Sequence, residues 1–164
     1  MHLGVIVMAF GIIGVEIFQE QTQIRLAVGE TAELGRYEMQ FLGATRYPGP
    51  DDLLITEATV DVYDNGRYIG QLNPRTELYT RTNQPMTIPS ARSTIAEDFY
   101  VLMINWEPTS ADQATFRIYL NPLINWVWAG GFIFVLGTLI AAWPDPAAER
   151  ALVQRPRTAV VPTD

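Results

Sequence analysis

The chain has no cysteine, no lysine and a single histidine, His2, among its 164 residues. Without cysteine it can build no disulfide framework, no thiolate metal site, no Cys nucleophile and no Cys-x-x-Cys-His haem attachment site. One histidine leaves no room for a multi-histidine metal centre or a Ser/His/Asp set in the body of the chain. No glycine-rich loop follows a strand and opens a helix, so the usual phosphate cradles are missing too. Positive charge is also scarce. Eleven arginines face 18 acids, a formal charge of −7, which argues against nucleic acid as a partner. Charged residues make up 18% of the chain and hydrophobic ones 48%, against about 25% charged in an ordinary soluble domain. The deficit is concentrated in two places.

Leu123 to Trp143 (LINWVWAGGFIFVLGTLIAAW) is 21 residues without an ionisable group. As a helix it measures about 32 Å, against a hydrocarbon core of roughly 30 Å. Asn121 suits an N-cap, Pro122 the first helical position and Pro144 a stop. Trp126 and Trp128 mark one interface and Trp143 the other. The alternative is a buried core helix; length and all-round apolarity favour a transmembrane one. The other stretch, Leu3 to Phe18, is 16 residues interrupted by Glu16. It lacks the basic flank and small-residue cleavage site of a signal peptide. It reads as a transmembrane helix that begins part-way along. Either the polypeptide starts at the membrane face or the upstream residues belong to another chain.

Arg150, Arg155 and Arg157 follow the second helix, which puts the tail, residues 144–164, in the cytoplasm by the positive-inside rule. Residues 20–121 hold 14 acids and 8 arginines, and a domain of that size crosses largely regardless of charge. The expected order is a helix over 1–19, an extracytoplasmic β domain over 20–121, a second helix over 122–143 and a short polar tail. The fold class is thus a membrane protein, two transmembrane helices flanking a small antiparallel all-β sandwich or barrel in the cytoplasmic membrane.

The β assignment rests on period two. Ala58, Val60 and Val62 alternate with Thr59, Asp61 and Tyr63, and Asn65-Gly66 then separates them from a second alternating run. Further strands are expected at Gln23–Val28, Glu33–Leu42, Phe99–Ile104 and Ala114–Leu120, six or seven in all. Turns are expected at Gly29-Glu30, Tyr47–Pro50 and Pro108–Gln113. Asn73–Ser93, rich in Thr, Pro and Arg, shows no period. The adjacent acids Asp51-Asp52 and Glu97-Asp98 point to opposite faces of a strand, so they read as turn or surface residues rather than an acid/base dyad. The eight arginines from Arg25 to Arg117 could meet an anionic ligand, but more often such arginines pair with neighbouring acids.

Several motifs occur in a telling order. His2–Ile12 (HLGVIVMAFGI) resembles the start of the last quarter of the CcmF family of cytochrome c biogenesis proteins. Glu38–Gly43 resembles that family's early hairpin, and Pro48-Gly49-Pro50 its G-P-N-like turn. Leu72-Asn73-Pro74-Arg75 with Tyr79 resembles its L-x-P-E-K/R-x-x-Y segment, and Asp98-Phe99-Tyr100-Val101-Leu102 its D-L-Y-V-x-L. Arg117-Ile118-Tyr119, Asn121-Pro122-Leu123 and Trp126 to Gly131 resemble R-x-Y-x-x-P-L-x-x-W-I-W-x-G-G. The likeness runs over nearly all of residues 2–145.

The resemblance implies part of a haem lyase system, which receives haem outside the cytoplasm and helps join it to apocytochrome c. The family's tryptophan-rich haem-handling loop and outer histidines are missing, and Trp106, Trp126, Trp128 and Trp143 do not reproduce that loop. The chain is therefore not expected to ligate haem alone. It looks like a C-terminal fragment or split subunit whose partner is an N-terminal CcmF-like chain or another maturation protein. The resemblance also makes His2 one of two axial ligands to a b-type haem, shared with that partner. The other reading of His2 is an ordinary residue at a wetted terminus. The alternative for the whole chain is a non-enzymatic, membrane-anchored β scaffold or ligand-binding domain in envelope assembly.

Overall fold

The computed structural model describes residues 1–107 and 112–143, and its strands follow the alternation of apolar and polar residues. Helix α1 (His2–Phe18) runs after one residue into β1 (Glu20–Ala27). Then come β2 (Thr31–Leu34), β3 (Tyr37–Pro48), β4 (Leu53–Asp64), β5 (Arg67–Leu72), β6 (Arg75–Tyr79), β7 (Gln84–Ile88), β8 (Ser90–Ser93), β9 (Glu97–Glu107) and β10 (Gln113–Pro122). Helix α2 (Ile124–Ala141) follows at once. The strands form two antiparallel sheets. One has the order β1-β10-β9-β8; the other is β2-β3-β4-β6-β7, with β5 beside the second half of β4. The domain is a sandwich.

Inward residues of β3 (Tyr37, Met39, Phe41), β4 (Ala58, Val60, Val62), β9 (Phe99, Val101, Met103) and β10 (Phe116, Ile118) meet between the sheets, all fully or almost fully buried. Phe41 and Phe116 pack edge-to-face at 5.1 Å, and Tyr37 lies 4.8 Å from Phe99. Each such side chain contributes roughly 1.5–3 kcal/mol of burial free energy. The outward positions of β4, among them Thr59, Asp61 and Tyr63, stay partly wet, the signature of a half-buried antiparallel strand.

The Asn65-Gly66 hairpin is present. Asp64 pairs with Arg67, and both turn residues have positive φ, 49° and 77°, as a two-residue type I′ turn requires. Elsewhere the structure departs from the sequence expectations. There are ten strands among the described residues rather than six or seven. Glu33–Leu42 is not one strand: it breaks at Gly35 (φ 61°) into the β2–β3 hairpin, with Leu34 opposite Tyr37. A lone glycine supplied the positive φ that a tight hairpin needs. The segment without a period, Asn73–Ser93, carries β6, β7 and β8. Pairing with β4 and β9 orders it, so tertiary context overrides a weak local signal.

Asn121 and Pro122 do not cap α2. Both lie in β10, opposite Asp98 and Glu97, and Leu123 in the left-handed region (φ 61°) turns the chain into the helix. The Pro144 stop, the tail arginines and most of the Pro108–Gln113 turn lie outside the described residues. Of the two helices, α2 (18 residues) is long and apolar enough to cross a membrane by length and composition; α1 is a shorter apolar helix of 17 residues.

Candidate functional site

Helix α1 lies antiparallel against α2 on a seam of glycines. Gly4, Gly11 and Gly14 are the buried residues of α1, and Gly130 is the buried residue of α2. The backbones come so close that a Cβ on Gly4 would lie 2.5 Å from the Phe134 nitrogen and 2.7 Å from the Gly130 carbonyl oxygen. Only glycine permits that approach. The His2–Ile12 and Trp126–Gly131 motifs therefore meet in space and hold the pair together.

His2 opens α1 and is exposed. At about 100° per residue it stands roughly 160° from Gly4 around the helix, on the side turned away from α2. Ile6, Ile13 and Ile17 share that side and are all more than half exposed. The imidazole thus sits at one end of an open apolar strip. A haem with two imidazole ligands needs two histidine nitrogens. Here α1 offers one and α2 carries none. The residues present fit half of such a site, and these 164 residues hold no second imidazole to complete it.

At the end of the sandwich where the helices leave, polar groups clasp the two sheets. Arg36, in the β2–β3 turn, places Nη2 2.9 Å from Glu97 Oε1 at the start of β9 and Nε 3.4 Å from Asp64 Oδ1 at the end of β4. The same Nη2 donates to Tyr37 Oη at 3.0 Å, and Tyr37 Oη donates to Glu97 at 3.2 Å. The hydrogen bond to Tyr37 raises the Arg36 pKa further, ahead of its neighbouring charges. Burial raises the Tyr37 hydroxyl above its ordinary value. Both groups keep their usual forms near neutrality, so the clasp is structural.

The same end is tied to α2. Asn125 Nδ2 donates to the Thr94 carbonyl (2.5 Å) and to Asp98 Oδ1 (2.9 Å), while the Leu123 N–H donates to the Ala96 carbonyl (2.7 Å). Gln19, between α1 and β1, donates to Asn121 Oδ1 at 2.6 Å. Glu97 and Asp98 are therefore committed to different partners, and both are half-buried at the start of β9 rather than the turn or surface residues expected. Asp52 pairs with Arg81 at 3.0 Å on the surface. Arg75 likewise pairs with buried Glu77 at 2.9 Å. Sequence reasoning missed Arg36, Tyr37 and Asn125 as connectors, because the partners they join across the fold stand 27 to 61 residues away.

Among the four tryptophans, Trp126 packs edge-on against Phe10 of α1 at 6.4 Å, whereas Trp128 and Trp143 are three-quarters exposed. Trp106 is far from the helices, near the end of β9, under the guanidinium of Arg46 at 5.1 Å.

Comparison with known proteins agrees with this architecture. The family model described as CcmF C-terminal beta-sandwich matches residues 17–122, from the end of α1 to the end of β10. The Cytochrome c-type biogenesis protein CcmF of Pseudomonas aeruginosa is 32% identical over 141 residues, 86% of this chain and 21% of that protein. The CcmF of Haemophilus influenzae is 31% identical over 139 residues, 85% of this chain and 21% of its own length. Among solved structures, one titled Cytochrome c Heme Lyase CcmF superposes with a TM-score of 0.65 at 23% identity, covering 87% of this chain and 23% of that one. The chain thus spans about a fifth of the length of the curated relatives it matches. With a sandwich matched over well more than half of its residues, the chain belongs to the CcmF family and corresponds to its C-terminal portion.

Proposed function

We propose that this chain serves cytochrome c maturation as the C-terminal portion or split subunit of a CcmF-like haem lyase, with apocytochrome c as acceptor. The observation that carries this reading is the family match across the whole sandwich. On this reading an N-terminal CcmF-like chain supplies the tryptophan-rich haem-handling loop, and the present chain is not catalytic by itself.

The domain order follows the same reading: residues 1–19 and 122–143 cross the cytoplasmic membrane, the sandwich over 20–121 stands outside, and residues 144–164 lie in the cytoplasm. Three features support it. Helix α2 has the length for a span, about 27 Å. Close glycine packing is the usual way apolar helices associate in lipid. The outer faces of both helices, with Ile6, Ile13, Phe132 and Ile140, are apolar and exposed. A Cys-free chain makes the order testable by single substitutions. Thr82→Cys should react with an impermeant maleimide on spheroplasts and Thr158→Cys should not; the opposite pattern overturns the topology.

His2 then supplies one axial ligand to a b-type haem shared with the partner chain. Haem would bring iron that accepts imidazole nitrogen; this chain's part is to hold His2 at the start of α1 and present it away from α2. The test is purification of the full chain from its host in mild detergent. A larger CcmF-like chain and low-spin haem should accompany it, and His2→Ala should lower the haem content and alter the reduced spectrum. Unchanged haem and spectrum in His2→Ala removes the ligand assignment alone. Absence of the CcmF-like chain, with covalently bound c-type haem unaffected by deletion of this protein, removes the function.

A further inference from the structure

The turn between β8 and β9, Thr94-Ile95-Ala96, lies at the end of the sandwich from which the helices leave, since Ser93 faces Asp98 and Glu97 faces Pro122. At its tip Ile95 is 80% exposed, the most exposed large hydrophobic side chain among the described residues. The turn is nevertheless stiff. The Thr94 hydroxyl donates to the Glu97 carbonyl at 2.8 Å and accepts from the Glu97 N–H at 3.1 Å. The Thr94 N–H donates to the same carbonyl at 2.9 Å. Branching at Cβ also restricts the isoleucine side chain, so it has little freedom to fold back.

Helix α2 sets the height of this tip. Asn125 holds the Thr94 carbonyl and the Leu123 N–H holds the Ala96 carbonyl, so both neighbours of Ile95 are tied to the start of the helix. At 18 residues, about 27 Å, α2 needs its whole length to cross a hydrocarbon core of roughly 30 Å. Its first turn therefore stands at the boundary between hydrocarbon and headgroups. Trp126 and Trp128, in the first two turns, are 39% and 75% exposed, and indoles favour that boundary. Phe18, the last residue of α1, is also exposed, next to the junction where Gln19 reaches Asn121. The other two turns at this end have polar tips. Arg36 occupies the β2–β3 turn and Asn65-Gly66 the β4–β5 turn, and the Asn65 N–H donates to the Arg36 carbonyl at 3.0 Å. Ile95 is the apolar tip of the three.

We propose that the β8–β9 turn is a lipid contact: Ile95 enters the membrane interface beside the first turn of α2, so that the sandwich rests on the bilayer as well as being held by its helices. This rests on the reading of α2 as a membrane span. Apolar surface held at that height gains by leaving water for the acyl boundary next to it. No free charge has to enter with it, because the two acids that open β9 are already bonded, Glu97 to Arg36 and Asp98 to Asn125. The contact has a mechanical use. Two packed helices can rock together in lipid, and strand spacing places β9 about 5 Å and β8 about 10 Å to one side of β10. A foothold displaced by that much from the helix pair opposes leaning toward the β8 side.

The test uses the full chain in phosphatidylcholine nanodiscs, its Cys-free background carrying one bimane label at a time through Ile95→Cys, Phe132→Cys or Thr82→Cys. Phe132 lies about 12 Å along α2 from Ile124, and Thr82, between β6 and β7, marks the remote end. The quenchers are phosphatidylcholine with a nitroxide high on the acyl chain, the same lipid with the nitroxide near the chain end, and iodide in water. The label at position 95 should be quenched more by the shallow nitroxide than by the deep one, and less by iodide than the label at position 82. The label at position 132 should show the reverse order of nitroxides, and the one at position 82 should respond to neither. If position 95 behaves like position 82 while position 132 keeps its lipid quenching, the contact is refuted and the span stands. Loss of lipid quenching at position 132 as well removes the span and the contact together. In the host, irradiated Ile95→p-benzoylphenylalanine should form no discrete protein adduct; one that forms gives this surface to a protein partner and overturns the proposal.

Discussion

Replacement of Gly130 probes the helix pair most directly. A Cβ there would lie 2.5 Å from the Met8 nitrogen and 2.7 Å from the Gly4 carbonyl oxygen. Both are backbone atoms, so no rotamer change can relieve the contact. Restoring an ordinary separation of roughly 3.5 Å requires the helices to part by about 1 Å, and a gap of that size forfeits a quarter to a half of each neighbouring dispersion contact. Overpacking of this kind costs about 1–3 kcal/mol. The adjacent residue is a built-in control. A Cβ at Gly131 meets only the Met8 sulfur, at 3.7 Å, so Gly131→Ala should be neutral or slightly favourable through helix propensity. Trp126, packed on Phe10 across the seam, reports the separation by fluorescence once Trp106, Trp128 and Trp143 are replaced by Phe. In a detergent–SDS titration, Gly130→Ala should unfold the pair at a distinctly lower SDS fraction than the parent, and Gly130→Val lower still, while Gly131→Ala should coincide with the parent. Equal midpoints for Gly130→Ala and Gly131→Ala would refute the close-approach argument.

Two further outcomes concern the sandwich. Gly66→Val places a β-branched residue at φ 77° and should destabilise the domain by about 1 kcal/mol or more, read as a lower melting temperature by circular dichroism; no change would remove the turn's contribution. Tyr37 has its pKa raised by burial above 10.0, so the stability that its neutral hydroxyl brings is fully present below pH 10 and is lost as pH rises through the folded-state value. Tyr37→Phe cannot titrate, and its melting temperature should fall less steeply above pH 10 than the parent's; parallel curves would contradict that origin of alkaline sensitivity.

The hairpin at Asn65-Gly66 was legible because both residues that demand positive φ stand together between alternating runs. The β2–β3 turn was not, since Gly35 is followed by Arg36 and alternation continues through both arms. Strands β6 to β8 owe their existence to neighbours far away in the chain, and their own residues carry no period. Asn121-Pro122 has the chemistry of a helix start, yet the ladder with β9 holds both residues extended and delays the helix to Ile124. Residues of the candidate site were legible unevenly. His2 stood out as the sole imidazole, but which side of the helix it faces depends on the glycine seam. The Arg46–Trp106 pair carries no motif at all, because it forms only when β3 and β9 are brought across the sandwich.

The way β1 and β10 continue into the helices has a mechanical consequence. The two strands are paired from Glu20–Leu120 to Ala27–Gln113, and they run on into helices that are paired as well, with one residue between at each junction. The result is a two-ribbon stalk without a slack hinge, braced by Asn125 and Gln19. Torsion applied to the helices is delivered to the sheet rather than dissipated in a tether. The height is fixed too: from Glu97 to Trp106 the strand β9 climbs about 30 Å at its usual rise per residue. Whatever engages the far rim must stand that tall above the helix ends, and it would feel any rocking of the pair as a lateral swing of the rim.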